Sequence, residues 1–386
     1  MRLAPDALGE LAATLPDGSV LVSATNGKTT TSAMLTHILA ADRTVCRNGA
    51  GANLLSGVAS TLVHQAADAD VGVLEVDEAA LPDVVGAIHP RALVLGNLFR
   101  DQLDRHGELE MVADRWRAMV AGLDAETTLV LGADDPVIDA LGEGRQRVVR
   151  FGIDDAEAAL ATADAAADST FCVRCGTAYD YTATYLGHLG AYRCPNGDHA
   201  RGFLDFAARD IRAHGVDGTA FRVDGPDGSL EVSLPLPGLY NVENALGALA
   251  AAHVLGVDLA TAAARLAGFT AAFGRFERIA VNGRELVVIL FKNPAGANEA
   301  LRAISRDVDG AQVLLALNDG IADGRDVSWI WDIDVEGRLD GAAAITCSGR
   351  RAADMALRLR YAGIAVDSIG RMVNLGDALE IGRAHV

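Results

Sequence analysis

No apolar run in this 386-residue sequence reaches the ~18 residues that a membrane-spanning helix needs, so no helical span is expected. The opening stretch, MRLAPDALGELAATLPDG, has neither a basic start nor a continuous apolar core, so a secretory signal is not expected either. Positive charge is scarce. With 33 Lys and Arg against 52 Asp and Glu, the net charge is -19, which argues against a sequence-independent hold on nucleic acid or on an anionic membrane surface. A polyanionic substrate would need a local basic site. Five cysteines are too few for a disulfide framework, and three of them cluster, which points to a metal in a reducing compartment and a cytosolic setting. No repeat with a period of 20 to 50 residues is visible. Apolar residues, by contrast, are abundant. Half the chain is hydrophobic, enough for two or three domains with large cores.

Short apolar runs alternate with helical patterns from the start: SVLVSA, TTTSAMLTHILAA, VGVLEVDE, RALVLGN and TTLVLGADD. Buried strands followed by helices predict a parallel sheet in an α/β domain. DAEAALATADAAADST reads as a solvated helix or a linker, and the Cys-, Tyr- and Gly-rich stretch at 168–204 as an insertion. TAFRVDGPDGSLEVSLPLPG predicts a hairpin around Pro-Asp-Gly, followed by a helix from about Asn244 to Leu255. A second α/β pattern opens with RELVVILFKNP, AQVLLALND and AAITCSG. The expected division is therefore a first α/β domain over 1–278 and a further α/β domain over 279–386.

SATNGKTTTSAML, residues 23–35, carries the Gly-Lys-Thr of a phosphate loop between a strand and a helix. In such a loop backbone N–H groups converge on phosphate oxygens, Lys neutralises charge and Thr holds Mg2+. The tripeptide alone also fits a helix start with a surface Lys. VGVLEVDE adds Glu75 and Asp77 at a strand end, where a carboxylate can reach Mg2+. LGNLFRDQLDRHGE adds Asn97, Asp101, Asp104 and His106 after another. Three polar clusters at three strand ends favour a site.

TNGKTTT, GAN at 51–53, DQLDRHGE, GADDP, GLYNVENALGA and GRFERI occur in the order found in Mur ligases, ATP-dependent enzymes of peptidoglycan precursor synthesis, which the chain resembles over nearly its whole length. The resemblance implies a P-loop central domain with a parallel sheet and a second Rossmann-like domain. ATP would be held by Asn26, Gly27, Lys28, Thr29 and Thr30, with Asn244 by the adenine and Arg275 reaching the phosphates from the far side. Thr29 and Glu75 would hold Mg2+. Three positions depart from the family pattern. Ala24 replaces a loop glycine and tightens the turn, Gln102 stands where a second-metal histidine is usual, and Asp114 stands where amino-acid-adding members carry a carbamoylated lysine.

Cys172 and Cys175 form Cys-x-x-Cys, and Cys194 follows after eighteen intervening residues, close to zinc-ribbon spacing. His199 is the expected fourth zinc ligand, with Asp198 and His188 as alternatives. So short an insertion has little core without a metal. Cys46 and Cys347 sit in apolar contexts and read as core.

FKNPAGANEAL and LNDGIADGRDVSWIWDIDVE, together with the inserted ribbon, resemble the MurT family, the synthetase subunits of lipid II isoglutaminyl synthase. That resemblance implies ATP-dependent amidation of the α-carboxylate of D-glutamate in the lipid II stem peptide to D-isoglutamine, with ammonia supplied by a GatD-like glutaminase subunit. The work would be done in the cytoplasm at the inner face of the membrane. Asp326 would complete the partner's Cys-His site, although by its residues alone it is equally a loop or capping aspartate. Trp329 and Trp331 fit a core or an interface. A non-catalytic nucleotide-binding scaffold and a folylpolyglutamate synthase-like ligase are the alternatives. The closing EIGRAHV, 380–386, reads as translated sequencing-adapter DNA, so the C-terminal domain is expected to be incomplete at its end.

Overall fold

The computed structural model describes residues 6–49, 51–100, 109–160, 167–270, 275–281, 283–305, 307–320, 325–365 and 369–372. In chain order its first half comprises α1 (Ala7–Ala12), β1 (Ser19–Ser23), α2 (Lys28–Leu39), β2 (Val45–Arg47), α3 (Leu55–Gln65), β3 (Val71–Glu75), α4 (Leu81–Ile88), β4 (Ala92–Leu95), α5 (Leu109–Ala121), β5 (Thr128–Gly132), α6 (Pro136–Ala140) and β6 (Val148–Ile153). Then follow β7 (Asp180–Leu186), β8 (Leu189–Arg193), β9 (Phe206–Ala213), β10 (Thr219–Gly225), β11 (Gly228–Leu234), α7 (Leu239–Val254) and α8 (Leu259–Leu266). The remainder is β12 (Arg275–Val281), β13 (Arg284–Ile289), α9 (Pro294–Ile304), β14 (Gln312–Ala316), β15 (Ala344–Ser348), α10 (Ala352–Tyr361) and β16 (Ile369–Met372).

A nine-stranded sheet in the order β11-β10-β9-β6-β5-β4-β1-β3-β2 organises the first part. Pairing is parallel from β2 across to β9 and antiparallel through β10 and β11. The strands read as unbroken apolar runs because both faces are covered. Along β1, Val20 and Val22 enter one core with Met34, Ile38 and Leu246, while Leu21 enters the opposite core with Leu62, Leu81 and Trp116. Strands β4 and β5 alternate in the same way: Val94 and Val130 face the first core, Leu93, Leu95, Leu129 and Leu131 the second. A period-2 side-chain pattern therefore disappears from the sequence without disappearing from the structure.

The expected hairpin is β10–β11, with Gly225 opposite Gly228, and it extends the main sheet instead of standing alone. The expected helix begins five residues earlier than its apolar run suggested, at Leu239. Gly238, at φ +92°, supplies the sharp turn before it. Residues 155–160 and 167–170 of the Ala/Asp-rich stretch are irregular or turn. Between β6 and β9 the chain makes a separate two-stranded sheet, β7–β8, whose small core consists of Cys172, Tyr179, Tyr192 and Cys194.

Beyond residue 275 come the β12–β13 hairpin and a parallel sheet in the order β14-β15-β16, with α9 and α10 packed around Leu301, Ile330, Cys347, Met355 and Leu359. Cys46 and Cys347 are fully buried.

Candidate functional site

Successive parallel strands deliver their carboxyl ends to one edge of the sheet, where loop residues escape the ladder and can meet a ligand. Strand β1 ends in the loop 24–27, β3 ends in Glu75, directly opposite Val22 of β1, and β4 leads to Asn97. Gly27 caps α2 at φ +95°. A Cβ there would lie 1.9 Å from Asn244 Oδ1, so glycine is required both by backbone conformation and by the approach of α7. Ala24 is compatible with its backbone, which is not at positive φ. Its methyl group lies against Gly96, where a Cβ would come within 3.0 Å.

Lys28 does not extend into solvent. Its Nζ donates to Glu78 Oε2 at 2.8 Å, to the Ala24 carbonyl and to the Thr25 carbonyl at 3.4 Å, and both ends of the ion pair are buried. Burial alone would lower the lysine pKa. Glu78, followed by Glu75 and Asp77, overcomes that and holds it above the usual lysine value. Burial likewise acts to raise the Glu78 carboxyl, and Lys28 followed by Lys292 holds it below the ordinary carboxylate range. A charged lysine thus sits among three carboxylates at a helix N-terminus.

Asn48 fixes the Glu75 backbone on both sides at 2.8 Å, and Asn53 Nδ2 donates to Glu75 Oε1 at 3.3 Å. Thr29 and Thr30 occupy the first turn of α2, Thr30 buried and Thr29 half-buried. Asn26 is braced by Asn97, whose Oδ1 accepts from the Asn26 N–H at 2.9 Å and whose Nδ2 donates to the Asn26 carbonyl at 3.1 Å. Asn244 accepts from Thr31 Oγ1 at 3.2 Å and donates to Asn241 at 3.2 Å. From the C-terminal part, Asn293 Nδ2 donates to Asn26 Oδ1 at 2.9 Å. The structure therefore sets the expected Asn97 against the loop and adds Glu78 and Asn293 to the site. Glu78 had a visible signal, a carboxylate three residues past Glu75. The backbone of Arg275 opens β12 opposite Ile289, and its side chain lies outside the described residues, as do Asp101, Gln102, Asp104 and His106. Asp114 is exposed on α5 and pairs with Arg117.

Under the loop, Glu243 of α7 and Asp134 form a buried carboxyl pair. Burial first, then Asp134, pushes the Glu243 pKa well up. Arg201 Nη1 reaches Asp134 Oδ1 at 2.7 Å and the Ile153 N–H reaches its Oδ2 at 2.7 Å, so Glu243 keeps the proton.

In the insertion, Cys172, Cys175 and Cys194 bring their sulfurs within 4.8 Å of one another, Cys175 and Cys194 at 3.5 Å. Two turns make this possible: Gly176 N–H bonds the Cys172 carbonyl and Gly197 N–H the Cys194 carbonyl, both glycines at positive φ. Although burial opposes it, the N–H groups of Cys175 and Arg174 hold the Cys172 thiol below its usual pKa, which favours a thiolate. His199 is not brought into this group. Its Nδ1 meets the Tyr179 hydroxyl at 2.7 Å, and its carbonyl accepts from the Cys194 N–H at 2.7 Å. His188 is committed elsewhere, to Asp135 Oδ2 at 3.3 Å and to the Asp168 N–H at 3.4 Å. Three sulfurs so spaced fit a thiolate-loving ion such as Zn2+ on three of its four corners.

Asp326 is exposed, and its Oδ1 accepts from the Ser328 N–H at 2.8 Å, at the start of a 3-10 turn over Ser328–Asp332. The Ser328 N–H, then its hydroxyl, hold the carboxyl below its ordinary range. Trp329 packs on Phe291 at 6.2 Å, whereas Trp331 stays exposed beside Tyr361 at 5.5 Å.

Residues 22–196 match the Mur ligase middle domain and residues 290–385 the MurT ligase C-terminal domain. Among solved structures, MurF from Acinetobacter baumannii superposes with a TM-score of 0.72 at 19% identity, covering 98% of this chain and 73% of that one, which establishes a shared fold. The subunit MurT of lipid II isoglutaminyl synthase from Streptococcus pneumoniae (strain ATCC BAA-255 / R6) is 31% identical over 94% of this chain and 80% of its own. The same subunit from Staphylococcus aureus (strain COL) is 31% identical over 92% of this chain and 79% of its own. The protein therefore belongs to the MurT family of the Mur ligase superfamily.

Proposed function

We propose that the chain is the synthetase half of a glutamine-dependent amidotransferase of peptidoglycan synthesis. It converts the D-glutamate α-carboxylate of the lipid II stem peptide to the amide of D-isoglutamine. The observation that carries this reading is the buried Lys28 at the N-terminus of α2, set among Glu75, Asp77 and Glu78 in a chain of this family.

A carboxylate is a poor electrophile until an oxygen leaves as a good leaving group. A carboxylate oxygen attacks the terminal phosphorus of ATP, the bond to the bridging oxygen breaks and ADP departs. Ammonia then adds to the acyl carbon, loses a proton and expels phosphate. Such chemistry is mostly positioning and charge neutralisation. The N–H groups opening α2 and Lys28 bind the phosphates, Asn26 and Gly27 shape the loop, and Thr29, Thr30 and Asn244 line it, with Arg275 reaching the phosphates from the far side. Glu75 and Thr29 would hold Mg2+, which supplies charge neutralisation on the phosphate oxygens. Zn2+ on Cys172, Cys175 and Cys194 would stabilise the insertion. Ammonia comes from a GatD-like glutaminase, whose catalytic histidine Asp326 orients across the interface. Lipid II places the reaction at the inner membrane face. Among the described residues no helix is long and apolar enough to cross a membrane.

The test is amidation of lipid II by the chain with its glutaminase, MgATP and either glutamine or free ammonia, followed by mass spectrometry. Lys28→Ala should abolish both routes. Asp326→Asn should lose the glutamine route and keep the ammonia route. Normal amidation by Lys28→Ala places the ATP site elsewhere, and glutamine-driven amidation unchanged in Asp326→Asn removes that residue from the partner's site.

A further inference from the structure

The insertion is fastened to the main sheet where β4 ends, beside the phosphate loop. Its hairpin β7–β8 closes tightly, Leu186 opposite Leu189, with Gly187 at φ +56° and His188 at the tip. Leu186 and Leu189 enter the same core as Phe99 and Phe151, so the tip is packed into the domain and does not stand in solvent. The side chains of His188 and Asp135 are both fully buried. A buried imidazole is costly unless its nitrogens are bonded, and here both are. Nδ1 faces the Asp168 N–H, a donor, so Nδ1 accepts and Nε2 donates to Asp135 Oδ2.

Each group that His188 engages also holds the turn leaving β4. Asp135 caps α6 with Oδ1, through the Val137 N–H, and shares Oδ2 between His188 and the Leu98 N–H, the latter at 2.8 Å. Asp168 Oδ2 accepts from the Arg100 N–H at 2.9 Å, and its Oδ1 pairs with the Arg100 guanidinium. The imidazole itself lies on the Phe99 ring, with centroids 4.5 Å apart. Leu98, Phe99 and Arg100 are therefore held by His188 or by a group bonded to it. Phe99 carries the constraint onward. Its N–H donates to Thr25 Oγ1 at 3.0 Å, the Thr25 hydroxyl faces the Phe99 carbonyl at 3.3 Å, and the Thr25 N–H donates to the Asn97 carbonyl at 2.8 Å. The Thr25 carbonyl in turn accepts from Lys28 Nζ. From His188 through Phe99 and Thr25 to Lys28 every side chain is buried, so the tip of the insertion is joined to the phosphate loop by one packed and bonded run.

We propose that His188 is a positioning residue for the phosphate loop: by fixing the Leu98–Arg100 turn it holds Thr25, and with it the backbone of loop 24–27, in the arrangement that receives a nucleotide phosphate. The insertion is then a brace on the nucleotide site and not only an appendage of the domain. This rests on the phosphate-loop reading given above. Backbone N–H groups bind phosphate only while they converge, so a small displacement of the loop costs affinity without removing any group that touches the ligand. Truncating His188 would leave Asp135 Oδ2 to Leu98 alone and open a space beside Phe99, and movement of that ring draws on Thr25.

The experiment measures MgADP affinity of the full chain by calorimetry, at a temperature where circular dichroism shows each variant folded. The variants are His188→Ala, His188→Gln, Thr25→Val, the double variant of His188→Ala with Thr25→Val, and Tyr185→Phe. Tyr185 is the control, because its hydroxyl accepts from the Asp155 N–H at 3.2 Å in the same hairpin, outside the run just described. His188→Ala should weaken MgADP by about tenfold, and His188→Gln, whose amide can donate to Asp135, by only about threefold. Tyr185→Phe should melt lower than the parent yet bind MgADP within about twofold of it. The double variant should bind about as weakly as the weaker of its two single variants, because both break the same run. Should His188→Ala not fold, His188→Gln takes its place in the cycle. Parent-like affinity in a His188 variant that melts lower would make the ring a core residue only and overturn the proposal. Multiplying losses in the double variant, or a loss in Tyr185→Phe equal to that in His188→Ala, would overturn it too, and each leaves the phosphate loop intact. Failure of the parent to bind nucleotide would overturn the phosphate-loop reading and this one with it.

Discussion

Replacing Glu78 by Gln removes one charge from a pair in which both side chains are less than a tenth exposed and 2.8 Å apart. Truncating one partner of a buried pair generally costs about 3–5 kcal/mol, because the remaining charge is left without compensation in a poorly solvated place. Here the loss should be smaller. Lys28 keeps the Ala24 and Thr25 carbonyls, and the charges of Glu75 and Asp77 still act on it. A cost of about 2–3 kcal/mol follows, which for a domain of this size lowers the melting temperature by roughly 4–10 °C. The nucleotide should behave oppositely. In the unliganded protein a phosphate must compete with Glu78 for Lys28, so Glu78→Gln should bind MgATP more tightly, and saturating MgATP should raise its melting temperature by more than it raises the parent's. Calorimetric melting with and without nucleotide reads both effects. Unchanged stability together with weaker nucleotide binding would refute this reasoning and make Glu78 a ligand-holding group instead of the counter-ion of Lys28.

The cysteine cluster predicts about one Zn2+ per chain by metal analysis, lost in Cys175→Ser and retained in His199→Ala, whose imidazole is turned to Tyr179. Loss of zinc in His199→Ala would require the ring to rotate into the cluster. The Asp134–Glu243 pair predicts a pH dependence. A carboxyl whose folded pKa is raised contributes its full stability below the unfolded value, about 4.3, and loses it as pH rises through the folded pKa. Glu243→Gln, which stays neutral, should therefore gain thermal stability relative to the parent on going from about pH 5 to pH 8; a difference independent of pH would mean that Glu243 is already ionised.

Much of this architecture could be read from the sequence for a definite reason. In a parallel sheet covered on both faces, each strand is a short unbroken apolar run ending in polar loop residues, so VLV, VGVLE, ALVL and TLVLG located both the strands and the edge that carries the site. The phosphate loop was legible because its requirements are local: a glycine, a lysine and the start of a helix. Lys28 itself was legible, but not its partner. Glu78 lies fifty positions along the chain, and neither propensity nor periodicity can pair an ammonium with one of three neighbouring carboxylates. His199 shows the same limit in reverse. Its position relative to Cys194 suited a fourth ligand, but spacing constrains the backbone, and the ring direction is set by the Tyr179 hydroxyl.

The contact between the two domains is the least legible feature and has the most consequence for function. Asn293 before Pro294 caps its helix by accepting from the Gly296 N–H. What the pattern does not reveal is the second half of the same side chain, the amide nitrogen aimed at Asn26 from 267 positions away. An amide can cap a helix and brace a loop at once because its oxygen and nitrogen bond independently. Serine or aspartate at this position would keep the cap and lack the NH2 group that Asn293 uses to reach Asn26. Asparagine is thus required by the meeting of domains and not by the helix, which ties the geometry of the phosphate loop to whether the C-terminal domain is docked.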